Sequence, residues 1–171
     1  MRYALGVDLG RERDYTALVL IEERGEAERP AGGAARDKKH LLVRHVERLP
    51  LGLSYPVLAG HVKDVHCAAE QKLASPVACV VDRTGVGQAV SDMLLQMGVA
   101  HIPVTLTGGR SVRTASEGLS VPKAYIIRCL RRLVNAQRLR VAAATKDAGL
   151  LRHELNQFTT KISARTAHEP L

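Results

Sequence analysis

At 171 residues, 46% of them hydrophobic, the chain is long enough for one globular domain with a substantial core. No Trp, one Phe and four Tyr make that core aliphatic and argue against a single-strand binder built on base-stacking platforms. A net charge of +8 favours polyanionic partners, since neutralising phosphates releases counterions.

No stretch approaches about 18 consecutive apolar residues and no signal peptide precedes the first strand, so the expectation is a soluble protein without membrane contact, in the cytoplasm. Cys67, Cys79 and Cys129 are odd in number, far apart and without CxxC spacing. They read as reduced thiols, neither a zinc site nor a disulfide framework.

In chain order, Tyr3 to Leu9 predicts an apolar strand, "GRERD" a turn and Tyr15 to Glu23 a second strand in a hairpin. Residues 24–39, charged and rich in Gly, Ala and Pro, predict a flexible insertion at the hairpin tip. His40 to Leu49 predicts a third strand. From a Ser54 N-cap, Leu58, Val62, Val65, Ala69 and Leu73 mark one face of an amphipathic helix.

"PVACVVD", ending at Asp82, is a buried strand; Val86 to Met97 is a helix; "VAHIPVTL" is a fifth strand. Thr107 to Ser120 reads as a long polar loop, followed by a helix from Pro122. "RLRVA" is a brief extended piece, and Lys146 to Phe158 a last helix with Leu150, Leu151, Leu155 and Phe158 inward. The order implies a mixed α/β sheet of five strands, a three-strand antiparallel meander plus two parallel strands, flanked by helices. Domain bounds follow as 1–159, with 160–171 an irregular tail.

Two apolar strands thus end in a carboxylate, at Asp8 and at Asp82. If the first and fourth strands are parallel neighbours, both acids lie at the sheet edge where open α/β sheets bind ligands. Unscreened carboxylates repel unless a cation bridges them, and Mg²⁺ or Mn²⁺ suits hard oxygen ligands while leaving room for water and phosphate. A single Asp after a strand is more often a turn former or helix cap. Two in these slots point to chemistry.

"GVDLGRERDYTALVLIE", "VVDRTGVGQAVSDML", "VTLTGG", "VPKAYIIRCL" and "LLRHELNQF", in this order and at these distances, resemble the nuclease domain of the tailed-phage terminase large subunit. That domain belongs to the ribonuclease H-like superfamily. The resemblance runs from Arg2 to about Phe158; "DRTGVG" and "VPK" are its most specific pieces. It implies a metal-dependent endonuclease that cuts double-stranded DNA during genome packaging, with a two-metal Mg²⁺ or Mn²⁺ site anchored by Asp8 and Asp82. An ATPase motor domain, a small terminase subunit and a portal are the implied partners, in a bacterial host cell.

Family members close with a further acidic helix, typically in a His-Asp-Asp setting. Only His168 and Glu169 stand late in this chain, so a shortened copy is expected, from a phage or as a prophage remnant. The alternative is an impaired remnant that binds DNA or packaging partners without cutting. No G-x-x-x-x-G-K-[ST] run cradles ATP phosphates, so no ATPase activity is expected. A sugar-kinase-like ATPase shares only the "GVDLG" opening.

Around this centre, Asp14 reads as a turn residue behind the ligands and Thr84 as a turn former that could touch phosphate. Gly85 and Gly87 permit a tight strand-to-helix passage. Arg83, Arg110, Arg113 and Lys123 are the candidate DNA-backbone contacts. Arg128, Arg131 and Arg132 read as a solvated helix face, and His61 and His66 as surface or packing residues.

Overall fold

The computed structural model describes residues 2–10, 14–28, 36–142 and 145–166. Its first three strands, β1 (Arg2–Asp8), β2 (Ala17–Glu28) and β3 (Arg36–Arg48), form the expected antiparallel meander. Helix α1 (Tyr55–Leu73) leads to β4 (Val77–Asp82), which lies parallel to β1. Helix α2 (Gly87–Gln96) leads to β5 (Ile102–Thr107), parallel to β4. The five strands in the order β5-β4-β1-β2-β3 make the ribonuclease H-like arrangement read from the sequence.

Three further strands widen this sheet to eight, where five were expected. Within the supposed polar loop, β6 (Arg113–Ala115) and β7 (Gly118–Pro122) form a hairpin, with β7 parallel to β5. β6 is three residues long and exposed throughout, so it carries no alternation for a sequence reading to detect. Helix α3 (Lys123–Asn135) then leads to β8 (Leu139–Val141), the brief extended piece, which adds to β3 in parallel. Helix α4 (Ala148–Thr166) runs beyond the expected end at Phe158.

The insertion is also shorter than its composition suggested. β2 and β3 stay paired from Arg24 opposite His40 to Glu28 opposite Arg36, so residues 24–28 and 36–39 belong to the ladder. Register sets Glu26 opposite Lys38 and Glu28 opposite Arg36. Lys39 Nζ meets Glu23 Oε1 at 3.0 Å. Residues 29–35 lie outside the described residues, as do His168 and Glu169.

The core is aliphatic, as composition required. Leu5, Val7 and Leu9 of the first strand and its exit, Leu18 and Leu20 of β2, and Val77, Cys79 and Val81 of β4 share one sheet face. Leu58, Ala59, Val62 and Ala69 of α1 and Val90 and Leu94 of α2 cover it. Ser54 stands at the α1 N-cap without a side-chain capping bond, and Ala74 ends the helix in the left-handed region. His66 bonds the Val77 carbonyl through Nε2 at 2.8 Å, a packing role, and His61 reaches Glu47 across to β3 at 3.0 Å. Burial pushes the Cys79 thiol up to about 11, so it is a protonated core group.

Glu22 is a buried carboxylate at 1% exposure on this same face. Arg24 holds it through two contacts of 2.6 and 3.1 Å, and Arg44 approaches at 3.5 Å. The arginines can return to water; the glutamate cannot. Arg24→Ala/Arg44→Ala is therefore expected to cost about 3–5 kcal/mol, and Glu22→Gln clearly less, in urea unfolding.

Candidate functional site

Strand alternation decides where the two aspartates point. Along β1, Leu5 and Val7 enter the core, so Asp8 projects from the opposite face. Along β4, Cys79 and Val81 enter the core, so Asp82 projects from that same opposite face. Val7 pairs with Val81 in the parallel ladder, which sets Asp8 and Asp82 side by side at the carboxyl ends of neighbouring strands, about 5 Å apart between strand axes. The expected juxtaposition is present.

Local turns fix both groups. After β4 the Thr84 N–H donates to Asp82 Oδ1 at 2.8 Å, an Asx turn that orients the carboxylate. The Thr84 hydroxyl in turn accepts from the Leu106 N–H at 2.9 Å, tying this turn to β5. Gly85 takes φ +67°, and Gly87 opens α2 directly against the Asp82 carbonyl, where a Cβ would come within 2.0 Å. The tight strand-to-helix passage read from the glycines is present. On the β1 side, Gly10 N–H bonds the hydroxyl of buried Thr16 at 3.2 Å, drawing the returning chain close.

The resulting cavity, about 600 Å³, is lined by Asp8, Asp14, Asp82 and Glu154 among its acids and by Arg48 and Lys123 among its bases. Asp8 is held above the usual carboxylate range, first by loss of hydration, then by the charges of Asp82 and Asp14; Lys123 pulls the other way. Its side chain opens to the cavity, yet the surrounding walls displace part of its water. Carboxylates thus converge without full compensation.

The sign of the consequence is fixed. A carboxyl raised on folding stabilises the protein fully below its unfolded value, near 3.8, and that contribution is lost as pH rises through the folded value. At pH 7 in EDTA, ionised Asp8 opposes folding. Asp8→Asn is expected to raise the metal-free melting temperature at pH 7, with the difference closing toward pH 3.5, measured by circular dichroism.

Glu154, on α4, is the acid that sequence reasoning missed. It follows Leu151 by three residues and Leu150 by four, so it sits on the flank of the face assigned inward; that spacing was the available signal. Arg48, at the end of β3, forms an ion pair with it and also lies over the Tyr15 ring at 4.8 Å. A further acid therefore reaches the cavity from α4.

The four candidate DNA contacts separate. Lys123, the first residue of α3, lines the acidic cavity. Arg83 turns away from it: its guanidinium bonds the Glu117 carbonyl at 2.7 Å and carboxylate at 2.9 Å in the β6–β7 turn. Arg110 and Arg113 are exposed around that hairpin and do not line the acidic cavity. Among the described residues, no group of three His, Cys, Asp or Glu side chains is placed to hold a metal ion by itself. No helix among them is long and apolar enough to cross a membrane.

No family model matches the chain, and no curated protein matches it. Among solved structures, it is similar to a human cytomegalovirus terminase nuclease domain, manganese-soaked and inhibitor-bound. Identity is 10%, the match covers 86% of this chain and 68% of that chain, and the TM-score is 0.45. The functional reading rests instead on the acids at the ends of β1 and β4.

Proposed function

We propose that the chain is a divalent-metal-dependent endonuclease domain acting on double-stranded DNA, with Asp8 and Asp82 as its metal-anchoring acids. The observation that carries this reading is the pair itself: two carboxylates side by side on one sheet face, with Asp8 raised by loss of hydration and then by its acidic neighbours. Hard oxygen donors of this kind fit Mg²⁺ or Mn²⁺. Mg²⁺ in particular is commonly bound through one or two carboxylates, with waters and substrate phosphate completing the shell, so a pair suffices without a ready-made cluster of three among the described residues.

Such an ion, when bound, supplies Lewis-acid polarisation of a phosphodiester and a more acidic water. The chain's own residues do the positioning. The Thr84 N–H holds Asp82 Oδ1 at the wall of the cavity. Lys123 offers a cation to a phosphate oxygen beside Asp8. Asp14 adds negative charge next to Asp8 from the turn between the first two strands. Glu154, restrained by Arg48, is available as a further carboxylate. Contacts of this kind reach backbone and not base edges, so cleavage should show little sequence preference.

A role in genome packaging, with an ATPase motor domain, a small subunit and a portal as partners, rests on the motif resemblance to the phage terminase nuclease. The second reading, a DNA binder that does not cut, is favoured by the absence of a preformed three-ligand group among the described residues. Supercoiled plasmid separates the two. Nicking with Mn²⁺ or Mg²⁺ that stops in EDTA supports the nuclease; a gel shift without nicking supports the binder.

A further inference from the structure

We infer that the solvent face of α3 is a binding track for the phosphate backbone of duplex DNA, leading away from the acidic centre. This deepens the proposed function and shares its substrate. From Lys123 to Arg140 the sequence holds six cations, Lys123, Arg128, Arg131, Arg132, Arg138 and Arg140, and no carboxylate. The chain as a whole has a net charge of +8, so most of its excess positive charge is concentrated on this one helix and the strand after it.

Exposure agrees with a partner-seeking face. α3 has no buried residue, and Arg128, Arg131 and Arg132 are all exposed. At about 100° per residue these three fall within roughly a 100° arc, away from the half-buried Leu130 and Leu133 side. None of the three pairs with a carboxylate among the described residues; Arg128 lies over the exposed Tyr125 ring at 5.5 Å. Elsewhere on this surface arginines do find acids, as Arg83 does with Glu117 and Arg48 with Glu154. A solvated helix face ordinarily mixes signs along its length. This one does not.

Position supplies the direction. Lys123 opens α3 inside the acidic cavity, and Arg131 lies eight residues on, about 12 Å along the helix axis. Phosphates repeat about every 3.4 Å of axis per strand, so one duplex could meet Lys123 at the cutting centre and the arginines a few phosphates away. Arg83, held by Glu117, is not needed for this path.

The test uses the full chain in EDTA, where no cutting occurs, and follows anisotropy of a fluorescein-labelled 30-base-pair duplex between 50 and 200 mM KCl. Arg131→Gln/Arg132→Gln is the probe variant, chosen because neither arginine contacts an aromatic ring. Lys63→Gln/Lys72→Gln on α1 removes the same charge elsewhere. The α3 variant is expected to lower the salt slope by about 2 and to weaken binding roughly 50-fold at 0.1 M salt. The α1 variant should change the slope by less than half a unit, and Arg131→Lys/Arg132→Lys should keep most of it.

Equal losses in the α3 and α1 variants, or an unchanged slope in the α3 variant, overturn the track. Arginine-dependent binding seen only with vesicles containing anionic lipid overturns it as well. Plasmid nicking is scored separately. A track without nicking leaves this inference standing and removes the nuclease reading, whereas nicking without a track does the reverse.

Discussion

Asp8→Asn and Asp82→Asn are each expected to reduce metal-dependent plasmid nicking by at least ~10²-fold, because each removes an anionic ligand of the divalent cation that would offset the developing phosphodiester charge. Asparagine keeps shape and hydrogen-bonding reach, and it takes away the negative charge alone. The two losses should not add: once either acid is gone, the ion has lost its bridge, and the double variant should be little worse than the singles. Thr84→Ala makes a useful contrast. It removes the hydroxyl that fastens the turn to Leu106 but keeps the N–H that orients Asp82, so nicking should fall far less. A variant lacking both acids that still nicks would exclude them as the centre.

Gly87→Ala is expected to damage both stability and the aspartate site. Its Cβ would lie 2.0 Å from the Asp82 carbonyl oxygen and 2.9 Å from the carbonyl carbon, both backbone atoms that cannot swing aside. Either α2 must lift from the end of β4 or the Asp82 turn must move. Forced backbone displacement of this kind costs about 1–3 kcal/mol and occasionally more. Here it also shifts Asp82 away from Asp8, so thermal stability and nicking should fall together. Gly60→Ala, with open space around its Cβ position, is the matched control and should leave both nearly unchanged. Calorimetry and the plasmid assay on the same preparations check both quantities.

The core strands and the aspartate pair were legible because a period of two and an abrupt end are strong signals. "VACVVD" has the β-branched density of a buried strand and stops at a carboxylate, which makes Asp82 visible without any coordinates. Asp8 is visible for the same reason, and alternation then places both on one face. Elements that depend on long-range backbone pairing were not legible. Arg113 to Ala115 has no apolar side to show, and it is a strand because β7 gives it a ladder. Residues 24–28 have loop composition and are strand because the register taken up after the bulge at Leu20 and Ile21 continues to Glu28.

Glu154 illustrates a different gap. Helical spacing put it beside Leu150 and Leu151, but only the path of α4 past the end of β3 brings it to Arg48 and into the acidic cavity. Arg83 is the converse case. Adjacent to Asp82 in sequence, it lies on the alternate side of the strand end and is taken by Glu117. Proximity along the chain suggested a phosphate contact; side-chain direction assigns a structural tie.

Uptake of Mn²⁺ by the purified chain, read from the loss of the free-ion electron paramagnetic resonance signal, is the most direct check on the shared-cation centre. The parent protein is expected to take up Mn²⁺ and the Asp8→Asn/Asp82→Asn double variant to take up essentially none, with both folded by circular dichroism. Equal uptake by the folded double variant would contradict the account.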